Sequence, residues 1–158
     1  MDGITLRTRS SAYELYSVRG NIKLKRGGVD MEANIMGKTI LIVDDEKEWV
    51  RALAIRLGHA GYRVEVAFDA VNGVAQAINL VPDVILLDIM MPAGGGITAL
   101  KNIRNSSKTF NIPVIVITAK SDKETKETAK KLGISAYFVK PIDTVKLREK
   151  LREVLQYK

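Results

Sequence analysis

Residues Val84 to Pro92 read VILLDIMMP, four apolar residues in a row that end abruptly in an acid. An apolar run without alternation is typical of a strand covered on both faces, as in the middle of a parallel sheet. Similar runs occur at residues 39–43 (TILIV) and 114–117 (VIVI), and residues 137–139 (YFV) form a further short strand. Residues 63–68 (RVEVAF) alternate instead, which is typical of an edge strand. The sequence therefore predicts five strands.

The segments between the strands have the spacing of amphipathic helices. Right-handed crossovers between parallel strands permit few arrangements of five βα units. We therefore expect an α/β fold, a flavodoxin-like doubly wound sheet of five parallel strands in the order 2-1-3-4-5 with helices on both faces. The predicted inward faces of the first, second, third and fifth helices consist of Val50, Leu53, Ala54 and Leu57; Val71, Val74, Ala75 and Ile78; Ile97, Leu100 and Ile103; and Leu147, Leu151, Val154 and Leu155.

The fourth helix has a weaker apolar face than the others. Ala129 and Leu132 are its only good apolar residues among many Lys, Glu and Thr, so we expect it to be loosely held. Ser121 and Glu124 have the spacing of a capping box at its start. Asp143 is expected to cap the last helix.

Composition limits the class of protein. The 158 residues contain no cysteine, which excludes disulfides and thiolate metal sites. No apolar run approaches the roughly 20 residues that cross a bilayer, and the first residues lack a signal-peptide core, so we expect a cytoplasmic protein without membrane contact. The net charge is +7, but positive and negative side chains are interspersed, a pattern that does not favour nucleic-acid binding.

Polar residues follow the predicted strands at one edge of the sheet. Asp44 and Asp45 come after the first strand, Asp88 after the third, Thr118 at the end of the fourth and Lys140 after the fifth. Because the carboxyl ends of parallel strands share an edge, we expect these side chains to converge. Three carboxylates held close together repel one another and collect a cation, and oxygen ligands select a hard ion such as Mg²⁺. A carboxylate can also attack phosphorus, with the cation and the lysine neutralising the phosphoryl oxygens.

The motifs VDDE (residues 43–46), LLDIMMP (86–92), VIVITAK (114–120) and YFVKP (137–141) resemble those of the response-regulator receiver domain family, in the family's order. The resemblance covers residues 38–158 and is to stand-alone, chemotaxis-receiver-like members. It implies a Mg²⁺ site and a phosphorylated aspartate. The implied roles are Asp88 as phosphoacceptor; Asp44, Asp45 and Asp88 as metal ligands with the backbone carbonyl of Met90; Thr118 and Lys140 as catalytic partners; Thr118 and Tyr137 as switch residues; and Pro141 as a cis proline.

The same resemblance implies a function. A two-component response regulator accepts a phosphoryl group from a sensor histidine kinase or phosphotransfer protein and changes shape to signal to a downstream protein. Its chemistry is restricted to its own phosphorylation and dephosphorylation, so it is a signalling domain rather than an enzyme with an external substrate. The implied partners are that kinase or phosphotransfer protein and a downstream protein target, with a homodimer as an open alternative.

Residues 1–37 have no counterpart in the family. We expect this extension to be disordered or to be a mis-annotated start, with a hairpin turning at Gly20 and Asn21 as the alternative. Residues 38–158 then form the receiver domain. We expect no effector domain after the last predicted helix and therefore a stand-alone receiver.

Three positions depart from the family or vary within it. Gly95 stands where an acid usually precedes the glycine that opens the third helix, so we expect a weaker helix start. Met90 and Lys120 resemble the variable positions at the mouth of the phosphoryl site. A bulky Met90 predicts a long-lived phosphoryl group because it hinders the hydrolytic water.

Three other functions compete with this interpretation. A phosphatase with an aspartate nucleophile would need Asp-x-Asp after the first strand, and the spacing of residues 44–46 (DDE) does not provide it. A receiver-like adaptor that binds partners without phosphorylation would usually have lost an acid or the lysine, and this chain keeps them. A DNA-binding regulator would have only the short basic arm of Lys23, Lys25 and Arg26.

Overall fold

The computed structural model describes residues 14–18, 21–26, 29–31, 37–92, 95–119 and 122–156. The chain divides into two compact units, residues 1–36 and 37–158. No helix in these ranges is both long enough and apolar enough to cross a membrane.

The described part of the first unit is a small antiparallel sheet. Its strands are β1 (Glu14–Val18), β2 (Asn21–Arg26) and β3 (Val29–Met31), in the order β1-β2-β3. Val18 pairs with Asn21, so β1 and β2 have the pairing of the hairpin alternative, and Asn21 belongs to a strand rather than to the turn. Gly20 lies outside the described residues. The expected disorder of residues 1–37 stays a prediction about the segment in solution.

The second unit has the predicted flavodoxin-like architecture. Its five strands are all parallel and lie in the order β5-β4-β6-β7-β8, which confirms the order 2-1-3-4-5. The elements are β4 (Thr39–Val43), α1 (Lys47–His59), β5 (Arg63–Ala67), α2 (Ala70–Leu80), β6 (Val84–Leu87), α3 (Gly95–Asn105), β7 (Val114–Thr118), α4 (Lys123–Lys131), β8 (Ala136–Val139) and α5 (Thr144–Gln156).

The three central strands form the core of this unit. Every residue of β6 and β7 is buried, as is β4 after its first residue. The edge strands are different, because only Ala67 of β5 is fully buried and β8 is partly exposed throughout. The apolar runs of β4, β6 and β7 therefore became central strands, whereas the alternating run of β5 and the shorter run of β8 became edges. Burial in the centre fixes the backbone from which the polar residues project.

The start of α4 differs from the prediction. Its N-cap is Asp122, whose Oδ1 accepts a hydrogen bond from the Thr125 N–H at 2.9 Å. The capping box predicted for Ser121 and Glu124 was wrong by one residue, because the charged carboxylate is a strong acceptor for the free amides of the first turn. Asp143 does cap α5, accepting the Val145 N–H at 2.9 Å.

Arg104 anchors the other end of α4. Its guanidinium donates to the carbonyls of Leu132 and Gly133, each at 2.9 Å, and to that of Ile112 at 2.9 Å. These carbonyls include orphan acceptors at the C-terminus of the helix, where positive charge is favourable. Burial lowers the pKa of Arg104. The side chain thus holds a helix whose one buried residue is Ala129.

Gly96 brings α3 against the end of β6. A Cβ atom at Gly96 would collide with the backbone of Asp88 and Ile89, which cannot move aside cheaply. Gly95 is less constrained, because its nearest neighbour would be the side chain of Ala70 at 3.0 Å. Gly96 therefore sets the distance between α3 and the loop that carries Asp88.

We expect Gly96→Ala to lower the free energy of unfolding by about 1–3 kcal/mol, the usual cost of overpacking. Gly58→Ala is the matched control, because a Cβ atom at this position of α1 meets nothing within 4 Å. Alanine is more favourable than glycine in a helix by about 0.8–1 kcal/mol, so this variant should not be destabilised. Urea unfolding measures both variants. Equal stability of Gly96→Ala and the original chain would contradict the close approach.

Candidate functional site

Asp44 begins the candidate site at the end of β4. It is only 1% exposed although it is an acid. Its Oδ1 accepts the Glu46 N–H at 2.9 Å, and its Oδ2 accepts Lys140 Nζ at 2.7 Å. The carboxylate is therefore fixed on one side by the turn into α1 and on the other by a cation.

Asp88 lies beside it at the end of β6. Its N–H donates to the carbonyl of Val43 at 2.9 Å, which joins the ends of the two strands. Its side chain is 4% exposed, and Oδ1 accepts the Met90 N–H at 2.8 Å. That hydrogen bond orients the carboxylate and leaves Oδ2 as the oxygen nearest to Lys140.

Lys140 supplies the positive charge of the site. Its backbone N–H donates to the Thr118 carbonyl at 2.8 Å, and its bond to Pro141 is cis, as the resemblance implied. The ammonium lies 2.6 Å from Glu46 Oε1 and 3.7 Å from Asp88 Oδ2, in addition to its contact with Asp44. One lysine thus faces three carboxylates.

Burial and pairing act in opposite directions at this site. Burial raises the pKa of Asp44 above its usual value, although hydrogen bonds from Lys140 and Glu46 work to lower it. Burial also works to lower the pKa of Lys140, but its hydrogen bonds to Asp44 and Glu46 outweigh that effect and the pKa is raised. The lysine is held as a cation, whereas Asp44 carries its charge at a cost in free energy.

The acids that come together are not the three that the sequence singled out. Carboxylate oxygens of Asp44, Glu46 and Asp88 lie within 4.8 Å of one another. Asp45 is exposed and does not belong to this group. The turn after β4 directs the second residue beyond Asp44 toward Lys140, and sequence reasoning missed Glu46 because it favoured the adjacent pair of aspartates. The role of Asp45 as a metal ligand stays a prediction.

This group of side chains fits a hard divalent cation. All three donors are carboxylates, and two of them are almost fully buried. Oxygen-only donors of this kind suit Mg²⁺. The backbone carbonyl of Met90 is a fourth predicted donor, and the Met90 side chain is 46% exposed.

The two predicted switch residues lie on neighbouring strands. Thr118 is fully buried at the end of β7, and Tyr137 is partly buried on β8. Burial raises the pKa of Tyr137, and the charges of Asp122 and Asp88 raise it further. Lys126 Nζ lies 5.6 Å from the centre of the Tyr137 ring, close enough for a cation–π contact with α4. Lys120 lies outside the described residues.

We expect Asp44→Asn to stabilise the fold near pH 7 in buffer free of divalent cations. Because the folded pKa of Asp44 is raised above 3.8, its contribution to stability is greatest below that pH and declines as the pH rises through the folded value. The variant removes this cost, while Glu46 remains as a partner for Lys140. Thermal unfolding at pH 7 and below pH 3.8 measures the difference, which should shrink in acid. A variant less stable than the original at pH 7 would show that the ion pair dominates.

Known proteins of similar sequence and structure are response regulators and receiver domains. Residues 40–152 match the model of the response regulator receiver domain. The response regulator ArlR of Staphylococcus aureus is 37% identical over 117 residues, 74% of this chain and 52% of ArlR. The chain therefore spans about half the length of the curated relatives it matches.

Solved structures with this fold include receivers from several organisms. The chemotaxis protein CheY4 of Vibrio cholerae has a TM-score of 0.70 and 30% identity, over 75% of this chain and 98% of that one. A CheY-like receiver domain protein of Methanospirillum hungatei has a TM-score of 0.72 and 30% identity, over 77% and 95%. The receiver domain of the sensor histidine kinase PA1611 of Pseudomonas aeruginosa has a TM-score of 0.70 and 28% identity, over 76% and 98%.

The structure of the PA1611 domain holds a magnesium ion in its active-site cleft. In this chain the acid group lies at the carboxyl edge of the sheet, after the ends of β4 and β6. The fold, the motifs and the family match agree. The chain belongs to the response regulator receiver domain family.

Proposed function

We propose that this receiver accepts a phosphoryl group on Asp88 from a sensor histidine kinase or a phosphotransfer protein, in the cytoplasm, and signals to a downstream protein by a change of conformation. The observation that carries the proposal is the position of Lys140. Its ammonium contacts Asp44 and Glu46 and lies 3.7 Å from Asp88 Oδ2, so a nucleophilic oxygen and a positive charge share one buried site.

In the proposed transfer, a carboxylate oxygen of Asp88 forms a bond to phosphorus as the bond from phosphorus to the donor's imidazole nitrogen breaks. The electron pair of that bond leaves with the imidazole, and Asp88 becomes an acyl phosphate. The Met90 N–H orients the nucleophile. Lys140 pairs with the phosphoryl oxygens as charge develops on them, and the Thr118 hydroxyl offers them a hydrogen bond.

Asp44, Glu46 and Asp88 would hold Mg²⁺, with the backbone carbonyl of Met90 as a further donor and Asp45 as the acid implied by resemblance. When bound, the ion neutralises the crowded carboxylates and the incoming phosphoryl oxygens. Two of these acids, Asp44 and Asp88, lie side by side at the ends of the adjacent strands β4 and β6. Lys140 supplies the positive charge that completes the site.

The switch follows from the same contacts. We propose that the Thr118 hydroxyl moves toward the phosphoryl group and that Tyr137, two residues into β8, turns inward. Tyr137 lies against α4 through Lys126, so its movement would alter the surface that α4, β8 and α5 present to a partner. A full swing from about 1% to 99% active needs roughly 5.5 kcal/mol of differential stabilisation.

Asp88→Asn should abolish phosphorylation, because the amide removes the nucleophilic oxygen anion. The protein is incubated with acetyl phosphate and Mg²⁺, and intact mass spectrometry measures the gain of one phosphoryl group. Asp83→Asn is the matched control, since Asp83 contacts Lys38 away from the site. The original chain and the control should be modified, and the Asp88 variant should not.

Loss of the modification in the presence of EDTA would support a requirement for Mg²⁺. A comparison of Asp45→Asn with Glu46→Gln would identify which of these two acids the Mg²⁺-dependent phosphorylation requires. A wild-type chain that binds no Mg²⁺ and gains no mass would overturn the proposal and favour the receiver-like binding adaptor.

Met90→Asn should shorten the lifetime of the acyl phosphate several-fold. The Met90 side chain is exposed beside Asp88 and presents an apolar group to the approaching water, whereas an amide can hydrogen-bond that water. The decay of phosphorylated protein is followed by intact mass after removal of the donor, with Met90→Leu as the control of similar size. Equal decay rates in the Asn and Leu variants would contradict the prediction.

A further inference from the structure

Trp49 lies under the ammonium group of Lys140. The nitrogen is 4.3 Å from the centre of the indole ring, well inside the roughly 6 Å range of a cation–π contact. Tryptophan is the aromatic residue that binds cations best. The contact is made by the charged tip of the lysine, the same atom that bridges Asp44 and Glu46.

Trp49 lies on the helix that follows the acids. It is the third residue of α1, and α1 follows directly from the turn that carries Asp44 and Glu46. Its ring is half-buried and also faces Pro141 and Ile142, the two residues after Lys140, across a shallow groove. One short segment therefore supplies both the acids and the aromatic face for the lysine.

The aromatic face differs from the acids in one useful respect. A lysine ammonium is a point charge on a flexible stem, so it must be restrained if it is to meet a phosphoryl group in one place. Carboxylates restrain it but also neutralise it and compete with phosphoryl oxygens. An indole ring attracts the ammonium without carrying a net charge, so it can hold the lysine while leaving its charge available.

We propose that Trp49 is a positioning residue for phosphoryl transfer, which acts by holding the Lys140 ammonium at the acid cluster. This role rests on the proposed function, because it concerns the rate at which Asp88 is phosphorylated. Trp49 itself need not touch the phosphoryl group.

The rate constant for phosphorylation by acetyl phosphate with Mg²⁺ tests the proposal. Trp49→Leu should slow the reaction about five- to tenfold, the size expected for one partly desolvated cation–π contact. Trp49→Phe keeps a weaker aromatic face and should recover most of the rate. Phe68→Leu is the matched control, because the Phe68 ring lies 5.7 Å from Lys47 rather than from Lys140, and its rate should be unchanged.

A double substitution separates positioning from a general effect on the fold. In a Lys140→Met background there is no ammonium to hold, so adding Trp49→Leu should cause no further loss. Losses that multiply in the double variant, or a Trp49→Leu rate equal to that of the original chain, would overturn the positioning role. If Trp49→Leu fails to fold, the same cycle is run with Trp49→Met, which also lacks an aromatic ring.

Fluorescence tests the contact without phosphorylation. Trp49 is the one tryptophan in the sequence, and a charge held close to its ring alters the energy and yield of its emission. Lys140→Met should change the emission, whereas Lys38→Met, which removes a lysine paired with Asp83, should not. Unchanged emission in Lys140→Met would overturn the proposal. A wild type that shows the contact by fluorescence but is never phosphorylated would instead overturn the proposed function.

Discussion

The pairing of Lys140 with Asp44 is the interaction on which the site depends. Two acids, Asp44 and Asp88, are almost fully buried at the ends of adjacent strands, where the sheet would favour apolar side chains. Bringing charged groups out of water costs several kcal/mol for each ion unless they are paired. Lys140 follows the edge strand β8 and contacts Asp44 at 2.7 Å and Asp88 at 3.7 Å, so its charge offsets the burial of both acids.

The pKa shifts describe the balance that results. Burial works to lower the pKa of Lys140, but its hydrogen bonds to Asp44 and Glu46 and the charges of Asp44 and Asp88 together raise it, whereas burial prevails at Asp44 and raises the pKa of that acid. The pocket therefore contains more negative charge than its lysine neutralises. A divalent cation or a bound group with positive charge is the natural complement, and crowding of this kind is typical of sites that give up stability for function.

Much of this arrangement could be predicted because it depends on long apolar runs. The strands at residues 39–43 and 84–87 are unbroken, and their register places Val43 opposite Leu87, so Asp44 and Asp88 had to end side by side. Glu46 could not be predicted in the same way. Whether the first or the second residue after Asp44 faces Lys140 depends on the turn geometry, which has no periodic signal. The N-cap of α4 shifted for a similar reason, since Ser121 and Asp122 are adjacent and both are good caps.

Contacts made by long side chains could not be predicted from sequence patterns either. Arg104 reaches the carbonyls of Leu132 and Gly133 from α3, and Lys140 reaches the ring of Trp49 on α1. Nothing in the spacing of apolar residues marks such partners, because they lie far apart in the chain and one member of each pair offers only a carbonyl or a ring face.

Arg104 has a bearing on how the phosphorylation signal would spread. Helix α4 buries little apolar surface, so its C-terminal end depends on the Arg104 hydrogen bonds, and its N-terminal half lies near Tyr137 through Lys126. A helix that is fixed at one end by charge-assisted hydrogen bonds and weakly packed elsewhere can shift at its free end at small cost. The N-terminal half of α4 has no fully buried residue and lies next to Tyr137, whereas the C-terminal half holds Ala129 and the Arg104 contacts. The distribution of contacts along α4 therefore favours movement where the phosphoryl group could influence it.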